Sequence, residues 1–293
     1  AMAYGEKYKA FLDTARTERL AAAEIIRRAE EKGFKPVYTM KSIKAGDKVY
    51  WNQKDKSVIL AVIGKEPVHE GIKIVGSHID SPRLDLKANP VHEQDGIVYF
   101  RTHYYGGIKK YQWTCIPLAL IGVVFTKDGK KVDINIGLKD SDPVFYVSDL
   151  LIHMAQDQMK KTLAEGITGE QLQAVAGTHS EEGQAPKDAI MTLLKKEYGI
   201  EEEDFAAAEL ELVPATKSRD VGFDRSLIAS YGQDDRVCSY ANLEAILDAK
   251  PGVKTQAALL TDKEEIGSYG NTGMESSYFV KFVMKLLALQ GQG

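Results

Sequence analysis

Apolar residues recur at helical spacing near the start of the chain. Phe11, Leu12, Ala15, Leu20, Ala23, Ile26 and Ala29 predict a helix over 8–32, with Gly33 as its stop. Short strand-like runs follow: VYW at 49–51, SVILAVI at 57–63 and IKIVGSH at 72–78. The last is apolar on nearly every residue, the pattern of a strand buried on both faces of an α/β sheet.

Beyond Pro90 the pattern changes. IVYFRTHYY, LALIGVVFT and KVDINI alternate like hairpin strands, with Asp128-Gly129 at a turn. LIHMAQDQMKKTLAEG and DAIMTLLKKEY at 188–198 read as charged helices, and the polar, glycine-containing TGEQLQAVAGTHSEEGQAPKD between them as a mobile loop. AAAELELVPA at 206–215 reads as a strand. From about Phe223 the first texture returns: helix in RVCSYANLEAILDAK, strand in KTQAALLT, and amphipathic helix in SSYFVKFVMKLLAL. The order predicts an α/β domain, 1–91 with 228–293, interrupted by an inserted β-rich domain at 92–227.

Composition narrows the class. The 293 residues are 44% hydrophobic and 27% charged, ordinary for a globular protein that can bury a core. A net charge of -4 gives no footprint for nucleic acid or for an anionic membrane surface. No apolar run approaches the roughly 18 residues that span a bilayer; PLALIGVVF from Pro117 to Phe125 is too short. Cys115 and Cys238 build neither a disulfide framework nor a CxxC metal site, and read as reduced core residues of a cytoplasmic protein. The charged N-terminus is unlike a signal peptide, and Ala1 ahead of Met2 reads as a cloning remnant.

Three acidic or histidine motifs carry the candidate chemistry. His78 and Asp80 lie two apart at the end of the IKIVGSH strand, so both side chains point the same way. The imidazole can then bind a metal while the carboxylate holds its other nitrogen. Asp234 and Asp235 precede a helix, where a carboxylate caps the helix or shares its two oxygens between divalent ions. Glu264 and Glu265 follow the AALLT strand; consecutive side chains diverge, so one can ligate while the other takes a proton from water whose pKa a metal lowers. Singly, each motif fits a solvated surface. Jointly, they stand at strand ends, where open sheets place ligands.

GSHIDSPRLDLK, SYGQDDR and DKEEIGS, followed by TGMESSYF and preceded by YYGG at 104–107, resemble the aspartyl aminopeptidase and vacuolar aminopeptidase I family of metallopeptidases. The resemblance covers essentially the whole chain. It implies a mixed-sheet αβα sandwich of zinc-exopeptidase type, an inserted dimerisation domain, two zinc ions, and dimers assembling into a homo-oligomeric dodecamer that acts on peptides. Carried onto this sequence, His78 and Glu265 ligate one metal each and Asp234 bridges them. Asp80 orients His78, Glu264 is the general base, and His153 reaches a neighbouring subunit's site. Oxygen and nitrogen donors suit zinc, manganese or cobalt.

The family pattern continues past residue 293, and a further Asp and a final His ligand belong to that continuation. The six histidines stand at 69, 78, 92, 103, 153 and 179. The chain is therefore expected to be a C-terminally truncated catalytic domain with a partial metal site. A same-clan deacylase or carboxypeptidase, and a non-catalytic assembly module, are the competing readings.

Overall fold

The computed structural model describes residues 2–180 and 183–291. Ala1, and Glu181 and Glu182 of the stretch read as a loop, lie outside them. In chain order the elements are α1 (Met2–Thr14), α2 (Glu18–Glu31), β1 (Lys35–Pro36), β2 (Lys48–Gln53), β3 (Ser57–Val62) and β4 (Ile72–His78). β5 (Arg83–Gln94), β6 (Ile97–Tyr105), β7 (Pro117–Phe125), β8 (Lys131–Ile136) and β9 (Phe145–Tyr146) follow, then α3 (Leu163–Gly166), β10 (Ala174–Gly177), α4 (Pro186–Tyr198) and β11 (Ala208–Pro214). The chain ends with β12 (Arg219–Val221), β13 (Leu227–Ala229), α5 (Gln233–Leu247), β14 (Thr255–Thr261) and α6 (Tyr278–Leu289).

These elements form two compact units, Ala1–Ser81 with Lys217–Gly293, and Pro82–Thr216. The divisions fall after Ser81 and Thr216, not at 92 and 227. The strand β5 begins at Arg83 and pairs along β6, while the β12–β13 hairpin is tied to α1 by the 2.6 Å contact of Lys9 with Asp220.

The first unit is a mixed sheet, β1-β2-β3-β14-β4, between helices. The fully buried β3 shows why. Val58, Leu60 and Val62 join one apolar cluster with residues of α1, α2 and α5, whereas Ile59 and Ala61 join a second with Tyr278, Phe282 and Leu286 of α6. Alternation thus feeds both faces of the sheet, as three-layer packing requires.

In the second unit β11 pairs with both β5 and β7, so the order β11-β5-β6-β10-β9-β7 closes on itself with β8 outside β7. Closure leaves few edges for stray pairing.

Several expectations need correction. The helix expected over 8–32 is two, because Thr17 turns extended and its hydroxyl oxygen accepts the Leu20 N–H, starting α2 afresh. β4 is not buried on both faces: it lies at the sheet's edge with Ile74 and Val75 nearly half exposed, and among the described residues it pairs with β14 alone. LIHMAQDQMKKTLAEG forms 3-10 turns and the single turn α3 rather than a helix. The stretch read as a loop contains β10, recruited by β6 and β9. Cys115 and Cys238 are free but exposed, not core residues.

Leu60, fully buried between β2 and β14, tests the first core. Leu60→Ala is expected to lower the unfolding free energy by about 2–5 kcal/mol, seen as an earlier urea midpoint at unchanged slope.

Candidate metal centre

β4 and β14 run parallel and finish together, Thr261 beside His78 in register. Open α/β sheets bind ligands at such carboxyl ends, where the chain leaves the sheet in loops. The head of α5 is drawn to the same place. Ser239 donates to the His78 carbonyl at 2.8 Å, and Asn242 to the Ser77 hydroxyl oxygen at 3.0 Å.

Asp80 organises the cluster. Its carboxylate is fully buried. Oδ1 lies 3.2 Å from His78 Nδ1 and accepts the Glu264 N–H at 3.2 Å; Oδ2 accepts the Glu265 N–H, also at 3.2 Å. A carboxylate only accepts, so a neutral His78 ring keeps its proton on Nδ1, a tautomer assigned from this partner, and offers the lone pair of Nε2. Nε2 stands 3.3 Å from Asp234 Oδ1 and 3.6 Å from Glu264 Oε2.

The structure brings His78, Asp80, Asp234, Glu264 and Glu265 together in the first unit. Ligand atoms of His78, Glu264 and Glu265 all lie within 4.8 Å of one another, with Asp234 reaching the same ring nitrogen. His153 lies in the second unit, exposed on the turn Ile152–Met154. Of the aspartate pair it is Asp234 that faces His78. Both aspartates have non-helical backbone, so the regular helix starts at Arg236. Asp235 instead hydrogen-bonds the Cys238 thiol, which is the main reason that thiol is pushed up.

Sequence reasoning missed Asp262. It is buried at the end of β14; its N–H donates to Ser57 Oγ at 2.9 Å and its Oδ2 accepts from Thr272 Oγ1 at 2.6 Å. Ser57 Oγ also donates to the Thr272 carbonyl at 2.7 Å. The loop bearing Glu264 and Glu265 is thereby closed at its base. Burial, then the charge of Glu18, push the Asp262 carboxyl up to about 6. The available signal was the acid directly following an apolar strand, hidden because Glu264 and Glu265 stood beside it.

The electrostatics fit a cation. Burial pushes the His78 imidazole down, but the hydrogen bond and charge of Asp80, with the charge of Glu264, push it further up, to about 9. Burial, then the neighbouring carboxylates, push Glu265 up, opposed by His78. One imidazole and converging carboxylates are the donors that zinc and similar divalent ions take, and like charges so close are relieved by a positive ion.

Fold and cluster define an αβα protein with a histidine–carboxylate cluster, a candidate metal centre, at the ends of parallel strands. Residues 11–293 match the family described as aminopeptidase I zinc metalloprotease (M18), and the chain belongs to it. It is 48% identical over 297 residues to a probable M18 family aminopeptidase 1 of Clostridium acetobutylicum, covering 99% of this chain and 64% of that relative. A probable M18 family aminopeptidase 1 of Thermotoga maritima is 44% identical over 292 residues, with the same coverages of 99% and 64%. The crystal structure of an M18 family aminopeptidase from Thermotoga maritima superposes with a TM-score of 0.96 at 42% identity, covering all of this chain and 65% of that one. The chain thus spans just under two thirds of the length of these relatives.

In the metal-free chain the His78 ring is expected to titrate near 9 in ¹⁵N-detected NMR, and Asp80→Asn to bring it down toward 6.5. The raised value means the ring proton stabilises the metal-free fold fully below about pH 6.5, and that contribution is lost as pH rises through about 9. An unchanged titration in Asp80→Asn would contradict the role given to Asp80.

Proposed function

We propose that the chain carries part of a dinuclear zinc aminopeptidase centre that removes N-terminal residues from peptides. The observation that supports this most is the buried Asp80, which holds His78 and the backbone of both glutamates in one arrangement. His78 and Glu265 would each hold one ion, and Asp234 would be shared between them. When bound, zinc supplies Lewis acidity, polarising the scissile carbonyl and acidifying water. Asp80 keeps Nε2 of His78 turned outward. Glu264, 57% exposed, has room to take a proton on Oε2 from the attacking water and return it to the departing amine.

The second unit, and His153 within it, serve assembly. The protein forms homo-oligomers, dimers building toward a dodecamer, in which His153 reaches a neighbouring copy's centre. Supporting this, the turns around His153 expose Leu151, Ile152, Met154 and Met159, an apolar surface of the kind that subunits bury. A solved structure at 18% identity is described as a yeast aminopeptidase dodecamer, a likeness of fold. No described helix is long and apolar enough to cross a membrane, which accords with a cytoplasmic enzyme.

Glu264→Gln in the full-length protein is expected to cut hydrolysis of aminoacyl p-nitroanilides by about 10²–10⁴-fold, with zinc content retained; undiminished turnover would remove Glu264 as the base. Metal binding is a separate test. A structural zinc takes about four donors, more than His78, Asp234 and Glu265 supply for two ions. Calorimetry on this chain should therefore find weak or substoichiometric zinc, and tight binding of two ions per chain would sink that expectation.

A further inference from the structure

Asp234 stands outside the regular part of α5, and its side chain is 90% exposed. A carboxylate so placed is directed by the turn that carries it. Beneath that turn three groups converge. The Ser81 hydroxyl, buried, donates to the Asp234 carbonyl oxygen at 2.9 Å. The Arg236 guanidinium, only 1% exposed, packs against Gly232 and lies 5.6 Å from the centre of the Tyr231 ring. Gly232 has φ +75, and a Cβ there would stand 1.8 Å from Arg236 Nη1 and 3.3 Å from Ser81 Oγ. The guanidinium fills the space a side chain at 232 would need, and the turn crosses it as bare backbone.

We infer that Ser81 and Arg236 are positioning residues for the metal centre, acting through Asp234. Ser81 ties the Asp234 backbone itself to the loop that follows His78 and Asp80, whereas Ser239 and Asn242 hold the body of α5 against the end of β4. Arg236 supports the turn from below with a planar, always-charged group that lysine does not reproduce. Together they set the Asp234 carboxylate at its 3.3 Å separation from His78 Nε2. The inference rests on the reading of Asp234 as a metal ligand.

The test uses the full-length protein, with zinc affinity measured by competition against a chromophoric chelator and coordination read from the visible absorption of bound cobalt. Ser81→Ala is expected to weaken metal binding by roughly 10–100-fold, the usual effect of removing a group that orients a ligand. Its cobalt spectrum should shift toward that of Asp234→Ala, while the circular dichroism and Tm of the metal-free chain stay near wild type. Arg236→Lys should move affinity and spectrum in the same direction. Because Ser81 acts through Asp234, Ser81→Ala should add little on the Asp234→Ala background. An unchanged affinity and spectrum in Ser81→Ala, or a loss that adds in full to that of Asp234→Ala, overturns the positioning role alone. If His78→Ala or Asp234→Ala binds zinc as well as the wild type, the metal-centre reading fails, and the positioning role with it.

Discussion

The buried carboxylate of Asp80 holds together parts of the chain that are far apart in sequence. It meets the imidazole two residues before it and two successive backbone amides about 184 residues after it. A buried carboxylate without partners would be costly, so its hydrogen bonds and its burial require one another. Losing the Asp80 carboxylate would leave His78 Nδ1 with only the backbone carbonyl of residue 80, at 3.0 Å, and the amides of Glu264 and Glu265 without their acceptor.

That contact is possible only because of the sheet beneath it. β4 and β14 pair in parallel along their whole length, so the loops leaving them start side by side. Ile79 continues the pairing by one bond, its N–H donating to the Thr261 carbonyl at 2.8 Å, which brings Asp80 directly against the turn at Glu264. The sheet is in turn held between two apolar clusters fed by alternate residues of β3 and β14. Core packing and site geometry are thus consecutive consequences of one strand pairing.

The sequence made some of this legible and hid the rest, for physical reasons. SVILAVI and IKIVGSH look alike in composition, yet one is a central strand and the other an edge. Apolar composition reports that a strand suits burial, not which neighbours cover it. The helical spacing of LIHMAQDQMKKTLAEG yields only short turns, since periodicity without a surface to pack against does not sustain a helix. His78, Asp80, Asp234, Glu264 and Glu265 could be named because three motifs, each weak alone, stood together at strand ends and matched one family's pattern. Ser81, Ser239 and Thr272 could not, because hydroxyl residues stand at many strand and helix ends and only coordinates show which carbonyl or carboxylate they meet.

Asp80 also sets a tension within the centre. The contact that turns Nε2 outward is the one that raises His78 to about 9, so at neutral pH a proton occupies the nitrogen a metal needs. Freeing it near pH 7 costs on the order of 3 kcal/mol, at about 1.4 kcal/mol for each tenfold change. Structural zinc sites bind with apparent free energies of about 10–16 kcal/mol, so a site with its donors in place outweighs that cost. The crowding of Glu264, Glu265 and Asp234 acts in the opposite sense, since a divalent ion relieves carboxylate repulsion that a single proton only partly offsets. Proton and metal therefore compete for one position, with the balance set by how many carboxylates face it. The groups that aim those carboxylates then matter as much as the ligands themselves.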